Sequence, residues 1–566
     1  DTFGGGIYNS TSHMTSLYGH FSGNSANRGG GIYNYNSAPS FTGTVFTDNV
    51  AVTDGGGMFS DLSNPSLVNA IFIGNQAGER GGGAYNDQQS PTFINITMTG
   101  NSAVIEGGGI FNDYSQLDLA NSIIWGNIAP SGSQLHNVVI QPTIVYSDIQ
   151  NCGGSGSWAA ICGTDGSGNI DADPKFVDLG SNDLRLQLTS PAIDAGRNSN
   201  VPGPITLDMH ASSRFVDVAS VADTGSGPAP IVDMGAFEAK EILYVAPTQA
   251  GIGDCSDWDN ACTIWNAFVD AYDGNQMWVK QGVYKPTLAS GDREASFTLE
   301  NGVEIYGGFV GNETMLSARN PVNNITVLSG DIDDNDTATG QGIVIDPSDI
   351  DGNNSYHVVV GSDTDSSAIL DGFYVTGGSA YGLSPGTDSG GGMYNKNGNP
   401  TVKNMVFIGN EADLPGGGMY NEDSSPTLVD VVFNNNNAVM GGGIYNANSH
   451  PSLNKVAFQS NSGDSAGGAM YNQTGSNPNL TNVTISDNNS SVGGGIFNNN
   501  SAPTLTNVTF SNNYALSQGG GMYNAGGSSP ILKNTIIANT ITGGDCINDA
   551  SSLNAASSHN LIEDSL

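Results

Sequence analysis

The chain has 566 residues and a formal net charge of −39, from 54 acidic and only 15 basic residues. This balance excludes nucleic acid and anionic lipid surfaces as partners, because both are bound by clustered Lys and Arg. The 79 glycines and the charged fraction of only 12% favour short strands joined by tight turns. No apolar run reaches the roughly 18 residues of a membrane span, so we expect no such span in this chain.

Residues 1–118 consist of a repeat with a period of 25 or 26 residues. The Gly triplets that open the repeats begin at Gly4, Gly29, Gly55, Gly81 and Gly107. Runs of β-branched and aromatic residues between turn residues predict short strands, and the runs have no helical apolar period. A single unit cannot bury its apolar face, whereas stacked units bury a continuous core. We therefore predict an all-β fold, a right-handed parallel β-helix with one coil per repeat.

Stacking would place equivalent residues of successive coils about 4.8 Å apart, so that polar side chains can bond from coil to coil. A ladder of side-chain amides is predicted for Asn9, Asn34, Asn86 and Asn112. The residue before each triplet alternates in charge along Arg28, Asp54, Arg80 and Glu106. Neighbouring opposite charges favour ion pairs between coils. Because pairing accounts for this row of charges, we predict no catalytic residues in the repeats.

Residues 119–240 lose the period and are predicted to form irregular terminal coils of the first β-helix. Residues 241–388 are predicted to form the N-terminal cap and the early coils of a second β-helix. Within them, residues 261–272 carry an apolar pattern of helical period, and Asp259 or Asn260 could cap a helix there. Such a helix would cover the open strand edges of the first coil.

One turn between these early coils is rich in oxygen ligands. It contains Asp331, Asp333, Asp334 and Asp336. Calcium is bound by clustered carboxylates on turns, so these four aspartates predict a structural calcium site. The alternative interpretation is an acidic loop that only faces solvent.

Residues 389–566 form the second regular array, in which the period returns. Its triplets begin at Gly390, Gly416, Gly441, Gly493 and Gly519, and a Gly-Gly-Ala variant begins at Gly467. The chain starts inside a repeat at Asp1 and reaches Leu566 without a recognisable cap. Because uncapped coils expose strand edges, we expect end-to-end self-association into a filament or continuation in a longer chain.

The five cysteines indicate an oxidising, extracellular compartment. Cys152 and Cys162 are close in sequence, as are Cys255 and Cys262, and neither pair has the spacing of a zinc site. Two local disulfides are therefore predicted, with free thiols as the alternative. Cys546 has no local partner and is predicted to bond beyond the end of the chain or across a junction.

Several motifs resemble known families. The repeats contain Phe-x-x-Asn at Phe21, Phe46, Phe72, Phe407, Phe433 and Phe510, and in this they resemble polymorphic outer-membrane adhesins of bacteria. Residues 121–127, 190–196 (Ser-Pro-Ala-Ile-Asp-Ala-Gly) and 232–238 (Val-Asp-Met-Gly-Ala-Phe-Glu) are similar to the final coils of bacterial surface proteins with choice-of-anchor β-helix domains. Residues 243–247 and 278–284 resemble the start of another such domain. The resemblance implies a pectate-lyase-like right-handed β-helix at a bacterial cell surface, without implying an activity.

The resulting hypothesis is a non-enzymatic, extracellular structural or adhesive protein, part of a fibre, a sheath or a giant surface protein. One alternative is a polysaccharide lyase or glycoside hydrolase acting on acidic glycans, with Arg28 or Arg80 as a required residue. Another is a passive glycan-binding protein that uses exposed aromatic residues such as Tyr35. Turnover of a glycan separates the enzyme from the other two interpretations.

Overall fold

The computed structural model describes residues 2–384 and 386–563, and it confirms the all-β parallel β-helix. The chain divides into two compact units, Asp1–Glu241 and Ile242–Leu566. In each unit a regular coil passes through four parallel sheets, which we name A to D in the order that follows the Gly triplet. Asp1 and Leu566, on which the expected continuation of the chain rests, lie outside the described residues.

In unit 1 the strands of each sheet come from successive coils. Sheet A contains Ile7–Ser10, Ile32–Tyr35, Met58–Asp61, Ala84–Asp87, Ile110–Asp113 and Leu135–Val138. Sheet B contains Thr15–Leu17, Ser40–Thr42, Ser66–Val68, Thr92–Ile94, Asp118–Ala120, Thr143–Val145 and Thr164–Asp165. Sheet C contains His20–Ser22, Val45–Thr47, Ile71–Ile73, Thr97–Thr99, Ile123–Trp125 and Asp148–Ile149. Sheet D contains Ser25–Ala26, Val50–Ala51, Gln76–Ala77 and Ser102–Ala103.

Unit 2 repeats this arrangement with longer sheets. Sheet A contains Phe297–Thr298, Val359–Val360, Met393–Lys396, Met419–Glu422, Ile444–Ala447, Met470–Gln473, Ile496–Asn499, Met522–Ala525 and Cys546–Asn548. Sheet B contains Ile242–Val245, Gln276–Lys280, Glu304–Phe309, Ile369–Asp371, Thr401–Lys403, Thr427–Val429, Ser452–Asn454, Asn479–Thr481, Thr504–Thr506 and Ile531–Lys533. Sheet C contains Gly282–Tyr284, Thr326–Ser329, Tyr374–Thr376, Val406–Ile408, Val432–Asn434, Ala457–Gln459, Thr484–Ser486, Thr509–Ser511, Ile536–Ala538 and Leu561–Ile562. Sheet D contains Ser379–Ala380, Glu411–Pro415, Asn437–Met440, Ser462–Ala466, Asn489–Val492 and Tyr514–Gln518.

The Gly triplet is required by the tight entry into sheet A. Its first glycine has a positive φ, +63° at Gly29, where a Cβ would lie 2.3 Å from the carbonyl oxygen of Ile32. Its second glycine touches the next coil, because a Cβ on Gly30 would lie 2.4 Å from the carbonyl oxygen of Gly56. A side chain at the first position would clash within its own coil, and one at the second would force neighbouring coils apart.

The corner between sheets B and C is a single residue in the left-handed region. In three coils of unit 1 it is Asn69, Asn95 or Asn121, with φ of 52°, 52° and 48°, and in other coils it is Tyr18, Gly43 or Tyr146. Asn adopts this conformation more readily than most other residues, because its short side chain bonds locally. The abundance of asparagine in the chain follows in part from these corners.

The core is made of one inward-pointing residue from each strand, stacked on its copies. Phe41, Leu67 and Phe93 of sheet B and Phe46 and Phe72 of sheet C are fully buried in unit 1. Equivalent residues touch across coils, since parallel pairing is in register and Phe46 faces Phe72 with ring centroids 4.3 Å apart. The repeated apolar positions of the sequence are therefore repeated core contacts.

The last part of unit 1 differs from the predicted irregular coils. Stacking continues to Ile170, which bridges Asp148, and the following segment then folds over the outer face of sheet C. Its one hairpin pairs Phe176–Asp178 with Asp183–Leu186 in antiparallel fashion. Apolar side chains from this segment pack on Ile71 and Ile123, which point outward from the sheet. We call residues 171–241 the covering segment.

The predicted helix is shorter than expected, Ile264–Asp270, and its cap prediction was wrong. Asp259 and Asn260 lie inside the separate 3-10 helix Trp258–Asn260, which Asp257 caps, so the N-cap is Thr263, which makes no side-chain bond. Ile264 is buried against the first coil of unit 2, as a helix covering its strand edge should be. The other 3-10 helices are Ala160–Cys162, Leu179–Ser181, Asn198–Asn200, Leu316–Ala318 and Pro347–Asp349. In the described part of the chain, none of the helices is long and apolar enough to cross a membrane.

We predict that Phe433→Ala lowers the free energy of unfolding by about 3–5 kcal/mol, because a fully buried ring leaves a cavity between coils. Phe433 stacks between Phe407 and Phe458, at centroid distances of 4.9 and 5.1 Å. Urea denaturation of the full chain, followed by circular dichroism, measures the change. Leu516→Ala is the control, since Leu516 is 71% exposed and its loss should cost less than about 0.5 kcal/mol. Equal effects of the two substitutions would contradict the core assignment.

Candidate functional site

The Phe-x-x-Asn motif forms the most extensive polar contact of the coils. The Phe lies inside sheet C, and the Asn follows at the corner to sheet D, where it is buried. The asparagines at this position are Asn24, Asn49, Asn75, Asn101 and Asn127 in unit 1 and Asn410, Asn436, Asn461, Asn488 and Asn513 in unit 2. Met98, Ile124 and Ile485 replace the Phe before Asn101, Asn127 and Asn488, and Asn24 in the first coil is only partly buried. This ladder was not predicted from the sequence, where the motif indicated only a resemblance, although the regular recurrence of its Asn was a signal for it.

Asn75 shows how each amide joins three coils. Its Nδ2 donates to the carbonyl oxygen of Phe46 in the preceding coil, at 2.8 Å, and to Oδ1 of Asn101 in the following coil, also at 2.8 Å. Its own Oδ1 accepts from the backbone N–H and the Nδ2 of Asn49, at 3.1 and 2.9 Å. All its bonding capacity is thus used inside the stack.

The ladder predicted on sheet A is present in two pieces in unit 1. Nδ2 of Asn9 donates to Asn34 at 3.3 Å, and that of Asn86 donates to Asn112 at 3.0 Å. Ser60 stands at the intervening position and interrupts the amide series. In unit 2 the series is continuous along Asn395, Asn421, Asn446, Asn472, Asn498, Asn524 and Asn548.

The row of alternating charges forms ion pairs for three of its four members. Asp54 is buried and lies 3.4 Å from Nε of both Arg28 and Arg80. Burial raises the pKa of Asp54, and the two guanidinium groups oppose that rise. Glu106 differs from the prediction, because its Oε1 lies 3.7 Å from Nε2 of His136. The backbone register predicted for Glu106 is nevertheless present, since it bridges Arg80 in parallel.

Both predicted disulfides are confirmed, and Cys546 is buried. Cys152 bonds Cys162 and Cys255 bonds Cys262, with Cα–Cα distances of 6.0 and 4.7 Å. Cys546 occupies the inward position of sheet A, is 1% exposed, and has its pKa raised to about 12 by burial. The inward position keeps this thiol from solvent, and the predicted bond of Cys546 to a partner stays a prediction.

The predicted calcium turn lies beside a pocket of about 460 Å³ in unit 2. Asp331, Asp334 and Asp336 contribute to its lining, together with apolar and aromatic side chains such as Trp265. The fourth aspartate, Asp333, instead accepts the backbone N–H of Asn353 at 2.9 Å. The turn is therefore part of a mixed apolar and acidic pocket rather than a plain solvated loop.

A lysine occupies the charged side of this pocket. Nζ of Lys285 lies 2.5 Å from Oδ1 of Asp334 and 4.0 Å from Oδ1 of Asp331. Burial raises the pKa of Asp336 to about 6, while bonds from the N–H of Asp351 and the amide of Asn354 oppose the rise. With three carboxylates and one ammonium, the pocket is net negative at neutral pH. Calcium at this turn stays a prediction.

The covering segment holds a second set of buried charges that sequence reasoning missed. Arg214 is fully buried, its Nη2 donates to the carbonyl oxygens of Asp233 and Gly235 at 3.0 and 2.7 Å, and its Nε lies 3.6 Å from Glu238. Burial raises the pKa of Asp233 to about 7 and that of Glu238 well above its usual range. The sequence signal for these buried charges was the motif at residues 232–238, which contains Asp233, Gly235 and Glu238, the residues that contact Arg214.

No protein-family model matches the chain, and the comparison with curated proteins finds no match either. Among solved structures, the chain is similar to the PL6 family alginate lyase AlyGC, at 8% sequence identity and a TM-score of 0.19. The alignment covers 98% of this chain and 77% of the lyase chain. At this TM-score the likeness carries no argument about a site or an activity, and both must be argued from the residues of this chain.

We predict that Asn488→Leu destabilises the chain by at least about 3 kcal/mol, because several buried polar groups lose their partners together. Asn488 accepts two bonds from Asn461 and donates to Phe458 and Asn513. Asn489→Leu is the matched control, since Asn489 is exposed and adjacent. Urea denaturation of both variants measures the difference. If Asn488→Leu lowers the free energy of unfolding no more than Asn489→Leu does, the ladder contributes little to stability.

Proposed function

We propose that this chain is a non-enzymatic structural or adhesive solenoid of a bacterial cell exterior. The supporting observation is that the repeated polar side chains of the regular coils bond to their own copies in adjacent coils. Asn75 uses every donor and acceptor in this way, and Arg28 and Arg80 share the buried Asp54. A catalytic site needs groups that converge on a space where a substrate can react. The coils are organised instead for stacking.

Two further features support an extracellular role. Disulfides persist in oxidising compartments, and each unit has one, Cys152–Cys162 in unit 1 and Cys255–Cys262 in unit 2. The net charge of −39 keeps such a long stack soluble and opposes self-aggregation through its faces. Both features suit a protein that works outside the cell without chaperones.

We predict no turnover when the purified chain is incubated with polyuronates or neutral polysaccharides, with and without calcium. Reducing ends and unsaturated products should stay at the level of a boiled control, because the arginines of the charge row are held in ion pairs. Product formation by the native chain would contradict the proposal. Its loss in a folded Arg80→Gln variant would then assign the activity to the charge row, and its loss in Lys285→Met would assign it to the pocket.

The pocket of unit 2 favours a second function, the passive binding of a neutral saccharide. A volume of about 460 Å³ and a lining that mixes aromatic, apolar and carboxylate groups are typical of small-ligand sites. Three carboxylates around Lys285 oppose an anionic glycan, because like charges repel in a partly desolvated site. Carboxylates also accept hydrogen bonds from hydroxyl groups, which a neutral sugar supplies in number.

We predict that a panel of neutral oligosaccharides contains a binder, whereas oligouronates of the same length do not bind. Calorimetric titration of the full chain measures both sets. Trp265→Phe should weaken binding at least about threefold, since Trp265 lines the pocket. Trp258→Phe is the control, because Trp258 bonds Glu313 and is outside the pocket lining. Preferential binding of the uronates, or equal losses in the two variants, would count against this function.

A further inference from the structure

The covering segment of unit 1 contains a fully buried carboxylate without a partner. Asp194 is 0% exposed, and no donor meets hydrogen-bond geometry at either of its carboxylate oxygens. Leaving a buried carboxylate without a hydrogen bond or a cation is among the most costly arrangements in a protein interior. This side chain therefore requires either a proton or a positive partner.

The backbone around Asp194 is tightly held, so the side chain cannot easily turn away. Its N–H donates to Oδ1 of Asp233 at 2.7 Å. Its carbonyl oxygen accepts from the N–H groups of Thr224 and Gly225, at 3.0 and 2.9 Å. These bonds link the 190–196 motif, the 232–238 motif and the loop before Gly225. Asp194 is thus fixed at the meeting point of three parts of the covering segment.

Two exposed aspartates from that loop face the buried one. One carboxylate oxygen from each of Asp194, Asp217 and Asp223 lies within 4.8 Å of the other two. Among residues 2–384 and 386–563, this is the one group of three or more such side chains with ligand atoms gathered so closely. Two oxygens that each lie about 2.4 Å from a common ion are at most about 4.8 Å apart, which is the calcium distance.

The charges near Asp194 make a bare carboxylate unfavourable there. Burial, followed by the negative charges of Asp233, Asp217 and Asp223, raises the pKa of Asp194 to about 8, and the nearby N–H of Val218 opposes this rise. Arg214 does not neutralise the negative charge of Asp194, because its nitrogens contact Asp233, Gly235 and Glu238. Protonation would remove the charge but would leave the exposed pair of aspartates repelling each other.

We propose that Asp194, Asp217 and Asp223 bind a divalent cation of the calcium class. Carboxylate oxygens are hard ligands, and a site with one buried and two exposed carboxylates leaves positions for the water that completes the coordination of calcium. The ion partners the buried charge of Asp194 and screens the exposed pair. It also fastens residues 217–223 to the 190–196 motif, and so holds the covering segment on sheet C.

The test is calorimetric titration of calcium chloride into the full chain after treatment with chelator. We expect a binding event that the double variant Asp217→Asn/Asp223→Asn loses, whether or not the turn at Asp331 also binds calcium. The matched control, Asp331→Asn/Asp334→Asn, removes two carboxylates from the turn in unit 2 and should keep the event. Free calcium at about 100 times its Kd should raise the Tm of the unfolding transition of unit 1, which contains the site, by about 5–10 °C.

Asp194→Asn separates a ligand from a residue that is merely structural. This variant should lose calcium binding, yet its metal-free form should be at least as stable as the metal-free native chain, because an amide buries no charge. Three results would overturn the proposal: no heat and no Tm shift with calcium in the native chain, unchanged binding in Asp217→Asn/Asp223→Asn, or loss of binding only in Asp331→Asn/Asp334→Asn.

Discussion

The structure depends on the register between neighbouring coils. Each strand contributes only two to six residues, too few for a stable strand by itself, so the stack exists only if every coil repeats the hydrogen bonds of the last. The buried Asn at the corner between sheets C and D enforces that repetition. Its amide extends the backbone ladder through a corner where the strands themselves have stopped, as at Asn75. The spacing of the Gly triplets is subject to the same requirement that each coil matches the register of its neighbour.

The close approach of coils at the Gly triplet follows from the same register. Gly30 can carry no side chain because Gly56 of the next coil lies against it, and this spacing is the one that lets the amides of Asn49 and Asn75 meet. In the regular coils, the repeated residues are therefore engaged mainly in contacts between coils. The pocket near Asp331 in unit 2 and the three carboxylates around Asp194 in unit 1 both lie where the repeat is broken.

The sequence allowed the repeating parts to be predicted because their contacts are periodic. The 25- or 26-residue period, the Asn ladder of sheet A and the disulfides all follow from local spacing. The pocket beside Trp265 and the buried charges around Arg214 could not be predicted in this way. Each is formed by residues that are far apart in sequence, and neither is repeated along the chain. The error at Glu106 has the same origin. Alternation of charge predicts pairing along the row, whereas a single histidine, His136, offers Glu106 a different partner.

The covering segment has an evolutionary consequence. Coils of the second array contact their neighbours through one recurring set of bonds, so duplication or loss of a whole period leaves every remaining contact intact. In unit 1 the covering segment bonds to particular coils, through Asn69, Thr97 and Asn121. A duplicated coil there would shift these anchor points along the axis. Variation in length among descendants of this gene should therefore accumulate in the second array, while the first keeps its number of coils.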